Sequence, residues 1–445
     1  VQHDQGDLMA KLVPALAVLM ALAGGVAQAQ AAASGIEQEA NAALAPARTL
    51  YEELHQHPEL SAQESRTAAR LAGALREIGY TVTEHVGGTG IVAILDNGPG
   101  PTIMLRTELD ALPVAEATGL PYASTVLARN AGGEEVPVMH ACGHDLHMAS
   151  LVGTAGIMAG SRQRWRGRLI LIGQPAEETI AGAKAMIRDG LFTRFPKPDV
   201  ALALHVNNEL PAGQVGVAAG PHYASADSLR ITIYGRGGHG ASPHTTVDPI
   251  VIAARTVLAL QTIASREVRP GEMAVVTVGT LHAGLKNNII PDQAVLGLTV
   301  RSYKPEIRRL ELAAIARIVK AEAEAGGAPK APLIEHFEST DSVANDAGLV
   351  QRLRAPLEVA LGADNVHAAA PISASEDFSE FLADGVPGFD LDLGGANAQE
   401  YATAAAAGTH LPSNHSPFFH PDAEPALRTA MMAEVTMLRT LMGKP

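Results

Sequence analysis

Ser228-Leu-Arg-Ile-Thr-Ile-Tyr234 is a strand-length stretch, and the segments after it decide the fold. Asp248 to Ser265 has helical spacing, and Ala274 to Leu281 and Gln293 to Val300 are strand-length. Pro305 to Ala325 opens on the proline that a helix tolerates in its first turn, and Pro332 to Phe337 is one more strand. The order β-α-β-β-α-β is that of a ferredoxin-like unit, a small domain whose sheet is covered on one face.

Working outward, Ile36 to Gln56 and Ser65 to Ile78 show helical apolar spacing, with Gly79 placed to end the second. Ile91 to Leu95, Thr102 to Arg106, Arg168 to Ile172 and Val200 to His205 are short apolar runs, and Ala149 to Ala159 supplies a helix among them. Strands alternating with helices predict a buried, mixed or parallel sheet. Beyond the small unit, Gly348 to Leu361, Asp377 to Leu382 and Phe389 to Leu393 return as helix and strand segments that rejoin it. The expected fold class is α/β: an α/β/α domain at 36–212 and 331–445, interrupted by the ferredoxin-like unit at 213–330. Ala402 to Gly408, the low-complexity patch, reads as a flexible loop.

Composition agrees with two domains. The chain has 445 residues, too many for one ordinary core, and 47% hydrophobic with 18% charged residues excludes a disordered chain. Its net charge of -14, with Lys and Arg scattered, leaves no basic face for nucleic acid or an anionic membrane. Met9 and Lys11 precede an apolar run, Leu12 to Ala23, and Ala27-Gln28-Ala29 has the form of a signal-peptidase site. Residues 1–30 therefore read as an export signal, too short in its apolar part to span a membrane. The expected location is exported, periplasmic or secreted. The one Cys, Cys142, cannot form an internal disulfide, which leaves it as a buried bystander, a reactive thiol or a metal ligand.

His140-Ala-Cys142-Gly-His144-Asp145, Glu177-Glu178, His205 and Glu108-Leu-Asp110 all fall at or near the carboxyl ends of the expected strands, where open α/β sheets bind ligands. Thiolate, imidazole and carboxylate brought to one edge are the donors of a borderline-soft divalent ion such as Zn²⁺. In an extended turn Cys142 and His144 share a side, and the positive end of the following helix is expected to lower the thiol's pKa. Singly, a Cys is more often a small buried hydrophobe, adjacent glutamates the solvated start of a helix, and a histidine a satisfied core residue. Together they favour a metal site, because buried charge needs a partner.

Arg106-Thr-Glu-Leu-Asp-Ala-Leu-Pro113, Met139-His-Ala-Cys-Gly-His-Asp-Leu-His147, Gln174-Pro-Ala-Glu-Glu178, Gly237-Gly-His-Gly-Ala-Ser-Pro-His244, Asn288-Ile-Ile-Pro-Asp292 and Ser375-Glu-Asp-Phe378 carry a resemblance. From about Ala47 to near the C-terminus, the chain resembles the aminoacylase and carboxypeptidase family of two-metal amidohydrolases, in its hippurate hydrolase and indole-acetyl-amino-acid hydrolase branch. The resemblance implies a metal-binding catalytic domain interrupted by a satellite domain that pairs subunits, hence a homodimer or larger homo-oligomer. It implies two divalent ions, Zn, Mn, Co or Ni, held by Cys142, His144, Glu178, His205 and His415, with Glu177 as general base. Asp110 is read as the carboxylate that orients an imidazole ligand. His239 and Asn288 would reach the partner subunit's site, His239 donating to the oxyanion. Arg301 would clamp a substrate carboxylate.

The branch usually shows Asp where Glu108 stands. His410, His415 and His420 lie close together, and only the Ser-Pro-Phe after His415 selects it; His140 and His147 are read as supports. The expected substrate is a small N-acyl-amino acid, split to a carboxylate and a free amino acid. The alternatives are an exported metallo-carboxypeptidase or dipeptidase of the same family, an enzyme with Cys142 as nucleophile, and a non-catalytic metal- or ligand-binding protein.

Overall fold

A computed structural model describes residues 33–443; the expected export signal at 1–30 lies outside the described residues. The larger sheet has eight strands in the order Thr81–Thr83, Ile91–Asp96, Arg168–Gln174, Thr102–Glu108, Val200–Pro211, Gly388–Ala396, Val215–Val217, Val366–Ala368. Its four central strands, Arg168–Gln174 through Gly388–Ala396, run parallel.

Strand periodicity fixes the layers. Leu169 and Leu171 pack into one core and Ile170 and Ile172 into another, and Leu202 and Leu204 alternate likewise with Ala201 and Ala203. Side chains of period two thus fill both faces, so helices must cover both. One face is covered by the helices over 33–56, Ser65–Ile78, His144–Gly160, Ala347–Leu361 and Ala423–Met442, and the other carries Met186, Phe378 and Phe381. The His144–Gly160 helix is apolar on nearly every side, as a helix inside a core must be. It packs so closely on Ala423–Met442 that a Cβ at Gly153 would stand 2.3 Å from the Met431 sulfur.

The second sheet is antiparallel, in the order Ala274–Ala283, Gln293–Ser302, Ser225–Tyr234, Leu333–Thr340. Helices Pro249–Leu260 and Pro305–Ala325 pack on it, and Leu229, Ile231, Leu296, Leu298, Ile315 and Val319 form a separate core. Asp248 caps the first helix by accepting from the Ile250 N–H.

Strand pairing shifts the expected limits of this unit. Val215–Val217, expected within it, is hydrogen-bonded between Gly388–Ala396 and Val366–Ala368 in the large sheet. Leu333–Thr340, beyond the expected limit at 330, pairs with the otherwise open edge of Ser225–Tyr234. Two further expectations change. Ala402 to Gly408 is not a loop: Ala398–Ala407 is a helix, because alanine has the highest helix propensity, Asn397 caps its start and Gly408 ends it at φ 66°. The helix expected from Ala149 begins at His144, because Gly143 makes the turn at φ 85° where no other residue fits: a Cβ there would meet Val206 Cγ1 at 2.3 Å.

Candidate metal centre

That Gly143 turn aims two donors at one place. Cys142 precedes it, His144 opens the helix, and His205, within the Val200–Pro211 strand, lies opposite with Nε2 3.4 Å from Cys142 Sγ. Glu177 and Glu178 sit in the turn after Arg168–Gln174 and approach the same imidazole, at 3.8 Å and 4.0 Å from His144 Nε2. The second Glu178 oxygen lies 3.4 Å from His415 Nε2. Of these three C-terminal histidines, His415 is the one in this cluster; His410 is exposed, and His420 is half-buried with Nδ1 2.9 Å from the Phe418 carbonyl.

Backbone strain concentrates here. Ala176, Ile180 and His415 have positive φ without being glycine, each costing on the order of 1–3 kcal/mol that the surroundings must offset. Asn414 supplies part of that hold: its Nδ2 donates to the carbonyls of Cys142 and Val206 at 3.1 and 2.9 Å, while the His415 N–H donates to the Ala141 carbonyl at 2.8 Å. Three distant segments are thereby tied together.

Asp110 touches the candidate ligands from behind. Its carbonyl accepts from His144 Nδ1 at 2.8 Å, which leaves Nε2 facing the cluster, and its carboxylate accepts from Ser61 and from the Glu178 N–H. His147 donates from Nδ1 to Glu108 at 2.8 Å and accepts the Val206 N–H on Nε2 at 2.9 Å. With both nitrogens engaged it holds the strand that carries His205. His140 is buried with neither ring nitrogen hydrogen-bonded, and burial pushes its pKa down to about 4.

The electrostatics suit a cation. Burial, then Glu178 and Glu177, push the Cys142 thiol well above its ordinary pKa, so the acidification expected from the helix end is overridden. Burial, then Glu376 and Glu178, raise Glu177, and burial raises Glu178 to about 7. His144 Nε2 and Glu178 Oε1 are buried with no hydrogen-bond partner among the described residues. Thiol, imidazoles and carboxylates with orphaned lone pairs fit divalent ions of the borderline class.

The cluster opens into a cavity of about 670 Å³, also lined by Arg301, Glu338 and Tyr223. His239 and Asn288 lie outside it, adjacent and exposed at a separate two-stranded ribbon, Gly238–His239 with Ile289–Ile290, where the Gly240 N–H donates to the Asn288 carbonyl at 2.8 Å. His239 Nδ1 accepts from the Ala241 N–H at 3.0 Å, which leaves Nε2 as its proton-bearing nitrogen.

Two networks had no role in the sequence reading. Buried Arg106 contacts Glu108, Gln174, Glu376 and Asp377, and His55 bridges Asp145 and Glu116 at 2.6 and 3.1 Å. Their signal was visible in part: Arg106 and Glu376-Asp377 stand in the motifs quoted, where charge on apolar strands calls for partners.

Residues 104–413 match the model of peptidase family M20/M25/M40. The chain belongs to this family. It is 36% identical over 345 residues to an N-acetyl-L-cysteine deacetylase of Bacillus subtilis, covering 75% of this chain and 77% of that one. It is 42% identical over 277 residues to a hippurate hydrolase of Campylobacter jejuni, covering 61% and 68%. Among solved structures, a putative aminohydrolase from methicillin-resistant Staphylococcus aureus superposes with a TM-score of 0.80 at 29% identity, over 91% of this chain and 99% of that one. A dinuclear metal-binding M20 peptidase of Bacillus subtilis does so at 0.74 and 29%, over 90% and 99%. The protein is thus an M20 hydrolase carrying groups of side chains able to hold metal.

Proposed function

We propose that this M20 hydrolase cleaves the amide bond of N-acyl-amino acids of the hippurate or indole-acetyl-amino-acid kind, using two divalent ions held by Cys142, His144, Glu178, His205 and His415. The carrying observation is that adjacent carboxylates approach one imidazole while only Glu178 reaches on to His415. That difference supports a division in which Glu178 binds metal and Glu177 moves a proton.

Bound ions would polarise the scissile carbonyl and acidify the attacking water. Glu177 takes that water's proton as its oxygen adds to the carbonyl carbon, then delivers it to the leaving nitrogen as the C–N bond breaks. Arg301, half-buried on the cavity wall, holds the amino acid's carboxylate. His239 of the partner subunit donates Nε2–H to the developing oxyanion. Exposed Leu258, Leu281, Leu285 and Ile289 on the small unit support a dimer. The leader-like segment supports export, and no described helix is long and apolar enough to cross a membrane.

Glu177→Gln should keep near-normal metal content by elemental assay while lowering kcat on the order of 10³-fold. Retained hydrolysis would reject Glu177 as base, and full turnover after exhaustive chelation would reject the metal reading. Mixing Glu177→Gln with His239→Ala subunits should restore activity neither has alone, since one site of the mixed dimer then holds both native groups.

A further inference from the structure

A buried carboxylate outside the donor cluster reaches the turn that carries Glu177. Glu64 ends the stretch His57-Pro-Glu-Leu-Ser-Ala-Gln-Glu64 and stands directly before the Ser65–Ile78 helix, yet its side chain does not cap that helix. Glu59 does so instead, accepting from the Arg66 and Thr67 N–H groups at 2.9 and 2.8 Å. Glu64 turns inward, where it is wholly buried. Its Oε1 accepts from the Ala62 and Ala176 N–H groups at 2.7 and 2.8 Å, and the Thr89 hydroxyl donates to Oε2 at 2.6 Å. These donors, none of them a cation, are its hydrogen-bond partners among the described residues. Both amides belong to left-handed alanines, Ala62 at φ 63° and Ala176 at φ 48°.

We infer that Glu64 is a positioning residue for the hydrolysis: by accepting the Ala176 N–H it holds the strained turn that sets Glu177 beside the metal donors. The inference rests on the amidohydrolase reading above, with Glu177 as base. Ala176 immediately precedes Glu177, and a left-handed alanine persists only where its surroundings offset the strain. A buried N–H donating to a carboxylate is a bond of that strength. The other flank of Glu177 is held in the same way. The Glu178 N–H donates to Asp110 at 3.0 Å, and the Ser61 hydroxyl donates to the same oxygen at 2.6 Å. Residues 61–64 thus clamp both sides of the base, directly at Ala176 and through Asp110 at Glu178. Because Asp110 holds the Glu178 amide, loss of Glu64 should displace the base more than the ligand. Stability alone does not account for Glu64, since burying a carboxylate without a cation is unfavourable.

The test measures kcat and KM of the metal-reconstituted enzyme on benzoylglycine, with bound metal and circular dichroism on the same samples. Glu64→Leu offers no acceptor, and its kcat should fall about 10²-fold. Its KM and metal content should change by less than about threefold. Glu64→Gln keeps an oxygen for both N–H groups and an amide that can donate to the Thr89 hydroxyl, so kcat should stay within about threefold of native. Adding Ala176→Gly to Glu64→Leu should restore about tenfold in kcat, because glycine adopts the left-handed turn unaided. A loss of folding would show no such rescue. Should Glu64→Leu not fold, Thr89→Val decides in its place: it removes the donor that aims the carboxylate and should lower kcat about threefold at unchanged KM. Native kcat in the deciding variant, a loss in Glu64→Gln as deep as in Glu64→Leu, a loss carried by KM or metal content, or no rescue by glycine overturns the positioning role and leaves the amidohydrolase reading standing. No chelator-sensitive cleavage by the native enzyme overturns that reading and this role with it.

Discussion

Two charged clusters lie side by side beneath the cavity, and they differ in how they are partnered. Around Arg106 the bonds close: Glu376 accepts twice from the guanidinium, Asp377 accepts from Gln174 and the Ala183 N–H, and Glu108 is shared between Arg106 and His147. Around Cys142 they do not close, because among the described residues His144 Nε2 and Glu178 Oε1 have no hydrogen-bond partner and three carboxylates, Glu177, Glu178 and Asp110, crowd without a guanidinium between them. The lesson is that burial and charge do not by themselves distinguish a structural ion network from a ligand set. Unspent lone pairs that converge within reach of one another do.

The largest stability effect should come from the closed cluster. Arg106→Met strands Glu108, Glu376 and Asp377 without their cation, and should cost about 3–5 kcal/mol in chemical denaturation, with metal or without. Insensitivity to this substitution would erase the contrast, since Arg106 would then not be what holds those carboxylates.

Glu434 provides an intermediate case. Wholly buried, it has, among the described residues, only the hydroxyls of Ser150 and Thr154 as partners, at 3.2 and 2.5 Å, and burial outweighs them to raise its pKa to about 8. Against an ordinary 4.5 in the unfolded chain, the folded state keeps a proton that the unfolded state has released between those values. Its stability contribution is therefore full below about pH 4.5 and is lost as pH rises toward 8. Glu434→Gln should flatten the fall in unfolding free energy across that window, by a few kcal/mol at most. An unchanged pH profile would show that this carboxyl ionises freely.

How much of this was legible depended on range. The Ser65–Ile78 helix and its Gly79 stop follow from local spacing and a left-handed cap, and the structure returns both. The clustering of Cys142, His144, Glu177, Glu178 and His205 was legible because each stands near the end of a recognisable strand, whereas His415 was singled out only by the family resemblance. Arg106 with Glu376 was not, since 270 residues separate them and no local pattern pairs them. Asn414 was equally hidden: its part is to gather the Cys142 and Val206 carbonyls, a matter of tertiary position. At Ala402–Gly408 low complexity outweighed helix propensity in the reading, although Asn397 and Gly408 stood in the sequence as caps.

The smallest effect is the most discriminating, because its sign should change. Glu178 Oε1 is buried without a donor, near the carboxylates of Glu177 and Asp110, so without metal its negative charge is a liability. Glu178→Gln keeps the shape and removes that charge; the chelated protein should gain about 1 kcal/mol. With metal the same change removes a ligand, and the protein should lose stability through weaker binding. Thermal melts of both proteins, each chelated and metal-loaded, form a four-way comparison. Arg106→Met should lower Tm in both states, whereas Glu178→Gln should raise it in one and lower it in the other. A uniform loss for Glu178→Gln would place that residue with the closed network and leave Cys142, His144 and His205 without their carboxylate.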